Sequence, residues 1–139
     1  MRFSAHTEAI PLSDVGGAWV FERESVLYTE STCEVPRVDH AEILFDFFDW
    51  VLEQAPPARP PTVIHDWRSL KAVPAEVRSA FVRRRKQLVS SRPERVIIGS
   101  SLNPVTRMGI QTVALAAEML GIGVPIELVS DPGPALLQR

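Results

Sequence analysis

From residue 39 to residue 130 the chain alternates helical patterns with short apolar runs, and that alternation restricts it to few folds. The strongest helical pattern covers Asp39–Gln54. Ile43, Leu44, Phe47, Phe48, Val51 and Leu52 make one apolar face, while Asp39, Glu42, Asp46, Asp49 and Glu53 recur every three or four residues as an acidic stripe. Asp39 is placed as the N-cap, with Glu42 completing a capping box. Ala55-Pro56-Pro57 stops this helix, because proline disfavours helix at the residue before it, and Pro56–Pro61 is a stiff connector. Thr62–Trp67 then reads as a buried strand, and Pro74–Val89 as a helix opened by proline at its first position. Arg95–Ser100 is another buried strand. A third helix runs from Asn103-Pro104 to about Leu120, where Gly121 closes it, and Val124–Ser130 is the last strand.

Upstream, Ala18–Arg23 and Val26–Thr32 carry aromatic residues with polar ones interspersed, and Glu24-Ser25 between them predicts an antiparallel hairpin. Residues 1–17 show no sustained period and end in the turn signal Asp14-Val15-Gly16-Gly17. They read as a leader, with a short strand at Arg2–Ala9, before one domain over 18–139. The element order is β-β-α-β-α-β-α-β. Strands alternating with helices imply right-handed crossovers, hence an α/β fold with a largely parallel sheet and the hairpin as its antiparallel edge.

Composition narrows the function classes. A chain of 139 residues with 45% apolar residues is long enough for one core, and a formal charge of −2 argues against nucleic-acid binding by bulk charge. Cys33 is the only cysteine, and His6, His40 and His65 lie far apart without metal-ligand spacing, so no metal site and no cofactor are expected. The N-terminus has no apolar signal-like run. The longest uncharged stretches, Val96–Thr106 and Met108–Ala117, are eleven and ten residues against roughly twenty for a membrane span, so the expectation is a cytoplasmic protein.

Candidate chemistry is sparse. No nucleotide-binding glycine motif follows any strand. Ser100, Ser101 and Asn103, at a strand end and helix start, with Arg107 one turn on, form a possible small-ligand site. Asn103 serving only as a helix cap is the plainer alternative. His65, Asp66 and Ser69 cluster in sequence, but adjacent strand residues point to opposite faces, so His65 and Asp66 are ill placed for a shared relay and no catalytic residue is assigned. Asp66 or Arg68 tying down the following loop is the structural reading. Arg78, Arg83, Arg84, Arg85 and Lys86 are placed on the outside of their helix, solvated or matching the acidic stripe of a neighbouring molecule or partner. The third helix is apolar nearly all round. Met108, Val113, Leu115 and Met119 mark a possible face for self-association, as a homodimer, or for a partner.

The segment from about Ala18 to Val129 resembles the STAS family of anti-sigma-factor antagonists, in particular its divergent SpoIIAA-like branch. The residues that carry the resemblance are Val63-Ile64-His65-Asp66-Trp67-Arg68-Ser69-Leu70, then the helix Pro74–Val89 and the strand Arg95-Val96-Ile97-Ile98-Gly99-Ser100. The resemblance implies a STAS-like mixed sheet with helices packed on it. It also implies a non-enzymatic switch in bacterial signalling that docks a kinase, an anti-sigma factor or a scaffold, controlled by a phosphorylated serine or threonine before the second long helix. Here that loop falls on Val73-Pro74-Ala75-Glu76-Val77. Ala75 stands at the acceptor position, Glu76 stands there on a one-residue slip, and Ser69 is the nearest hydroxyl. The resemblance therefore implies partner binding around Asp66, Arg68, Ser69, Ala75 and Glu76, with the phospho-switch lost. A small anionic ligand or lipid-binding α/β domain is the alternative.

Overall fold

In a computed structural model, which describes residues 10–12, 14, 16–21, 25–54, 60–87, 95–100, 104, 107–112 and 125–132, the expected alternation becomes one six-stranded mixed sheet. Its strands are β1 (Ile10–Pro11), β2 (Gly16–Phe21), β3 (Val26–Ser31), β4 (Thr62–Trp67), β5 (Arg95–Ser100) and β6 (Ile126–Val129), lying side by side in chain order. β1–β2 and β2–β3 pair antiparallel; β3–β4, β4–β5 and β5–β6 pair parallel. Helices α1 (Val38–Gln54) and α2 (Ala75–Gln87) make the first two crossovers, and residues 107–112 are helical within the third.

Because each crossover steps to the next strand in the same direction, right-handed connections place every helix on one face. The core shows this. Leu44, Phe45, Phe47, Phe48 and Val51 of α1, Phe81 and Val82 of α2, and Ile110 pack with Leu27, Val63, Val96 and Ile98 from alternate strand positions. The other face buries Val26, Ile64 and Ile97, with Tyr28 and Val129 against them. Among the described residues the strand order never reverses, so these strands form no switch-point crevice of the kind that makes the strand ends of doubly wound folds a default ligand site.

Two glycines are required by close approach. Gly16 has φ +152°, and a Cβ there would collide with the carbonyl oxygen of Glu30. At Gly99 a Cβ would lie 2.7 Å from the ring of Pro132, so the chain after β6 crosses the second face directly over this residue.

Several local expectations are corrected. The end of the segment read as a leader joins the sheet: Ile10 and Pro11 pair with Ala18 and Gly17, and both Gly16 and Gly17 belong to β2. The strand expected at Arg2–Ala9 lies outside the described residues. Asp39 is not the N-cap of α1. The helix starts one residue earlier, and His40 Nδ1 accepts the Arg37 backbone N–H at 3.0 Å, doing for this helix what Glu42 was expected to do. Asp39 instead accepts from the Arg37 side chain, which also reaches Asp14 at 2.9 Å and so ties the β1–β2 turn to α1. Pro74 precedes α2, its carbonyl accepting from Val77 and Arg78 at 3.1 Å.

The acidic stripe and the basic run meet inside the chain and need no second molecule to do so. Arg84 reaches Glu42, Asp46 (2.9 Å) and Asp49 (3.2 Å), and Arg83 reaches Glu42 at 3.0 Å. Exposed pairs of this kind contribute roughly 0.2–1 kcal/mol each. Arg84 is itself largely buried and grips three carboxylates, so its main effect is to fix the register of α2 against α1. Arg85 was placed with this exposed set and is in fact buried, at 4% exposure. Val77, Phe81 and Arg85 are spaced by four, which puts all three on the inward stripe.

Candidate functional site

The C-terminal ends of β3 and β4 form the floor of an apolar cleft of about 60 Å³, closed by the first turns of α1 and α2 and by Ile110. Its walls include Leu44, Trp67, Leu70, Val77, Phe81 and Ile110. Loops from three crossovers meet at its mouth. Lys71 pairs with Glu34 through both side chain (3.0 Å) and backbone (2.7 Å), which joins the loop after β3 to the loop after β4. Ser69 Oγ donates to the Ser31 carbonyl at 2.5 Å and lies 3.0 Å from that of Cys33, binding the same two loops from beneath. Gly109 sits against Val73, so the start of the third helical segment completes the rim.

Beneath the cleft is a buried polar chain that sequence reading did not connect. Thr29 and His65 are register partners on β3 and β4, and Thr29 Oγ1 lies 2.8 Å from His65 Nδ1. His65 Nε2 faces Arg85 Nη2 at 3.4 Å. The imidazole stacks on Trp67 at 4.7 Å, and the Arg85 guanidinium lies over the rings of Phe45 (5.7 Å) and Phe81 (5.2 Å). Burial, reinforced by the Arg85 charge, holds His65 well below the ordinary imidazole range, so it is neutral at pH 7. Burial alone pulls Arg85 down to about 10, which leaves it charged at neutral pH with aromatic faces and an imidazole for company. The i, i+4 spacing of Phe81 and Arg85 was the signal that could have found this; the basic run around Arg85 masked it.

The neutral imidazole has a consequence for pH. The unfolded chain takes up a proton at His65 near pH 6.5 and the folded chain does not, so stability is full above that pH and falls below it. At pH 5.5 the expected loss from His65 is on the order of 1 kcal/mol relative to pH 7.5. Urea midpoints measured at the two pH values check this, and the His65→Gln variant should lose most of the difference.

Asp66 lies on the opposite face of β4, so His65 and Asp66 share no relay. Arg68 donates to its two carboxylate oxygens at 2.9 and 2.8 Å, its backbone N–H adds a third bond at 3.2 Å, and Tyr28 Oη donates at 3.3 Å. Burial pushes the Asp66 carboxyl up, and the Arg68 bonds outweigh it, leaving the group below the usual carboxylate range. Arg68 also approaches Asp131 at 3.6 Å. Asp66 and Arg68 thus tie down the loop after β4, as the structural reading expected.

The remaining sequence candidates divide clearly. Ala75 and Glu76 are exposed at the start of α2, and neither lines the cleft. Ser69 is held by the two carbonyls. Ser100 is buried at the end of β5 and Arg107 is exposed, while Ser101 and Asn103 lie outside the described residues, so the structure describes only half of that possible ligand site. Of the possible self-association face, Met108 is 67% exposed, and Val113, Leu115 and Met119 lie outside the described residues. Among the described residues no helix is long and apolar enough to cross a membrane, and no three His, Cys, Asp or Glu side chains gather as a metal-ligand set. In comparison with known proteins, the chain matches no family model and no curated sequence.

Proposed function

We propose that this chain is a STAS-like regulatory or scaffold domain that docks a protein partner at the C-terminal edge of its parallel strands and performs no catalysis of its own. Support for the fold side of this reading comes from the antiparallel β2–β3 hairpin, the sequential parallel strands and the placement of helices on one face. The observation that carries the docking side is the composition of one edge. Val35 at 53% exposure and Met108 at 67% flank the exposed start of α2, and the Glu34–Lys71 and Val73–Gly109 contacts join their loops into a continuous surface. Large apolar side chains gathered at a loop-built edge mark interaction surfaces. Ala75 carries no hydroxyl, and Glu76 presents a fixed negative charge where the resemblance implies a phosphate, so docking here is constitutive. A kinase, an anti-sigma factor or a scaffold protein is the class of partner that the resemblance implies.

A photo-reactive amino acid at position 108 tests this in lysate from the native cell. The expected result is a discrete adduct that Glu76→Arg weakens at least about tenfold, the effect of losing one well-placed interfacial charge pair. A self-adduct at twice the chain mass would assign the edge to homodimerisation. Equal capture from a probe at Glu53, on the opposite end of α1, would contradict the docking reading.

A further inference from the structure

We infer that the cleft above Thr29 is a binding site for a small apolar molecule carrying one neutral carbonyl oxygen, such as a short-chain ketone, ester or acyl group. The inference concerns the interior of the edge and stands independently of any protein partner.

The hydrogen-bond polarity of the buried chain leads to this chemistry. A guanidinium can only donate, so Arg85 Nη2 presents N–H to His65, and His65 Nε2 must be the acceptor. The imidazole is neutral, so its one hydrogen sits on Nδ1 and is donated to Thr29 Oγ1. With its oxygen accepting from His65, the Thr29 hydroxyl keeps a hydrogen for which no acceptor stands among the described residues. Thr29 lines the cleft, so this donor belongs to the cleft floor. A buried donor without an acceptor is costly, and a ligand oxygen would satisfy it.

Charge and size restrict the ligand further. The positive charge of Arg85, buried without a carboxylate partner among the described residues, polarises the chain towards the cleft and favours an oxygen there over a nitrogen donor. The Thr29 hydroxyl matches one carbonyl oxygen, and the cationic side chain of the lining, Arg78, already donates to the Val73 carbonyl at 2.7 Å. An ionised carboxylate would have to be desolvated, a cost that one hydroxyl and a guanidinium already engaged by a carbonyl repay only in part. The cleft volume, at roughly 10–15 Å³ for each water-sized occupant, admits about four to six heavy atoms. Leu44, Trp67, Leu70, Val77, Phe81 and Ile110 offer the remainder of such a ligand apolar contact, and Ser31, Cys33, His40 and Arg78 are also in the lining.

The probes are 2-pentanone, its isosteric hydrocarbon 2-methyl-1-pentene, and butanoate, each of six heavy atoms and each titrated into the full chain while amide resonances are followed. The expected result is saturable shifts centred on Thr29, Leu70 and Val77, with the ketone binding at least about fivefold tighter than the hydrocarbon, the size of one hydrogen bond, and butanoate binding weakest. The carbonyl stretch of bound 2-pentanone should move to lower frequency. Thr29→Ser should keep the preference for ketone and Thr29→Val should abolish it. If Thr29→Val does not fold, the Thr29→Ser ratio and the infrared shift in the unmodified chain still decide the matter. Equal affinity for ketone and hydrocarbon, or butanoate as tight as ketone, would overturn the carbonyl assignment while leaving an apolar cleft. Saturating probes that shift no cleft resonance would overturn the site altogether.

Discussion

Phe45→Ala is expected to cost about 4–6 kcal/mol of unfolding free energy, at or above the upper end of roughly 3–5 kcal/mol for a buried phenylalanine. The excess has a specific source. Phe45 has no solvent exposure and packs edge-on against Phe48 at 5.7 Å and Phe81 at 4.9 Å, so truncation opens a cavity where α1 and α2 meet. Its ring also faces two guanidinium groups, of Arg84 and Arg85, each 5.7 Å from the centroid. Arg84 retains its carboxylates after the change. Arg85 has none among the described residues, and losing one of its two aromatic faces leaves a desolvated cation more poorly compensated by up to about 2 kcal/mol. Urea denaturation of the single variant measures the total, and a double-mutant cycle with Arg85→Met isolates the second part. The cost of Phe45→Ala should shrink by about 1–2 kcal/mol when residue 85 is methionine. A cycle that closes to within experimental error would show that Phe45 acts through packing alone.

Arg85→Met, conversely, is expected to raise stability by roughly 1–4 kcal/mol, the range found when buried charges give way to apolar residues of similar volume. Most substitutions at fully buried sites destabilise, so the sign alone is diagnostic. Methionine fills the space between Phe45 and Phe81 without a charge to desolvate, and sulfur–aromatic contact replaces part of the cation–π attraction. Removing Arg85 also takes away the donor facing His65 Nε2, so either ring nitrogen can then carry the proton and Thr29 is no longer fixed as a donor to the cleft. The variant should therefore be more stable and yet lose discrimination between ketone and hydrocarbon. Thermal and urea unfolding give the first result directly. A destabilised variant would mean that the cation is compensated better than its described surroundings show.

The α/β architecture was legible because its signals are local and repeated. The apolar runs at Thr62–Trp67 and Arg95–Ser100 become β4 and β5 with the expected bounds, and the acidic stripe of Asp39–Gln54 lies on the outward side of α1. Its apolar face was legible too, except at Phe45, which reads as the third of three consecutive apolar residues, Ile43–Phe45, and is buried with 0% exposure. What could not be read was where elements meet. Two complementary charge patterns do not reveal whether they pair within a chain or between chains, and that is decided by the sequential strand order that sets α2 beside α1. Nor does a run of four basic residues show which member turns inward; only its spacing from Val77 and Phe81 does.

The candidate site was legible at its surface and hidden at its base. Asp66, Arg68, Ala75 and Glu76 fall on the loop and helix start that the chain order brings to the C-terminal edge. The chain Thr29–His65–Arg85 joins residues 36 and 20 positions apart, and its connection depends on the parallel register of β3 with β4 and on the rotation of α2. Cys33, read only for disulfide and metal chemistry, lines the cleft mouth beside Ser31 at 3.1 Å.

Amide hydrogen exchange of the chain, alone and in its native complex, tests most directly whether function resides at the C-terminal edge. The account predicts added protection in residues 32–37, 71–78 and 107–112, with little change at the opposite ends of the same strands, around Ser25, Thr62 and Arg95. Protection centred on those opposite ends, with the C-terminal edge exchanging as in the free chain, would contradict it.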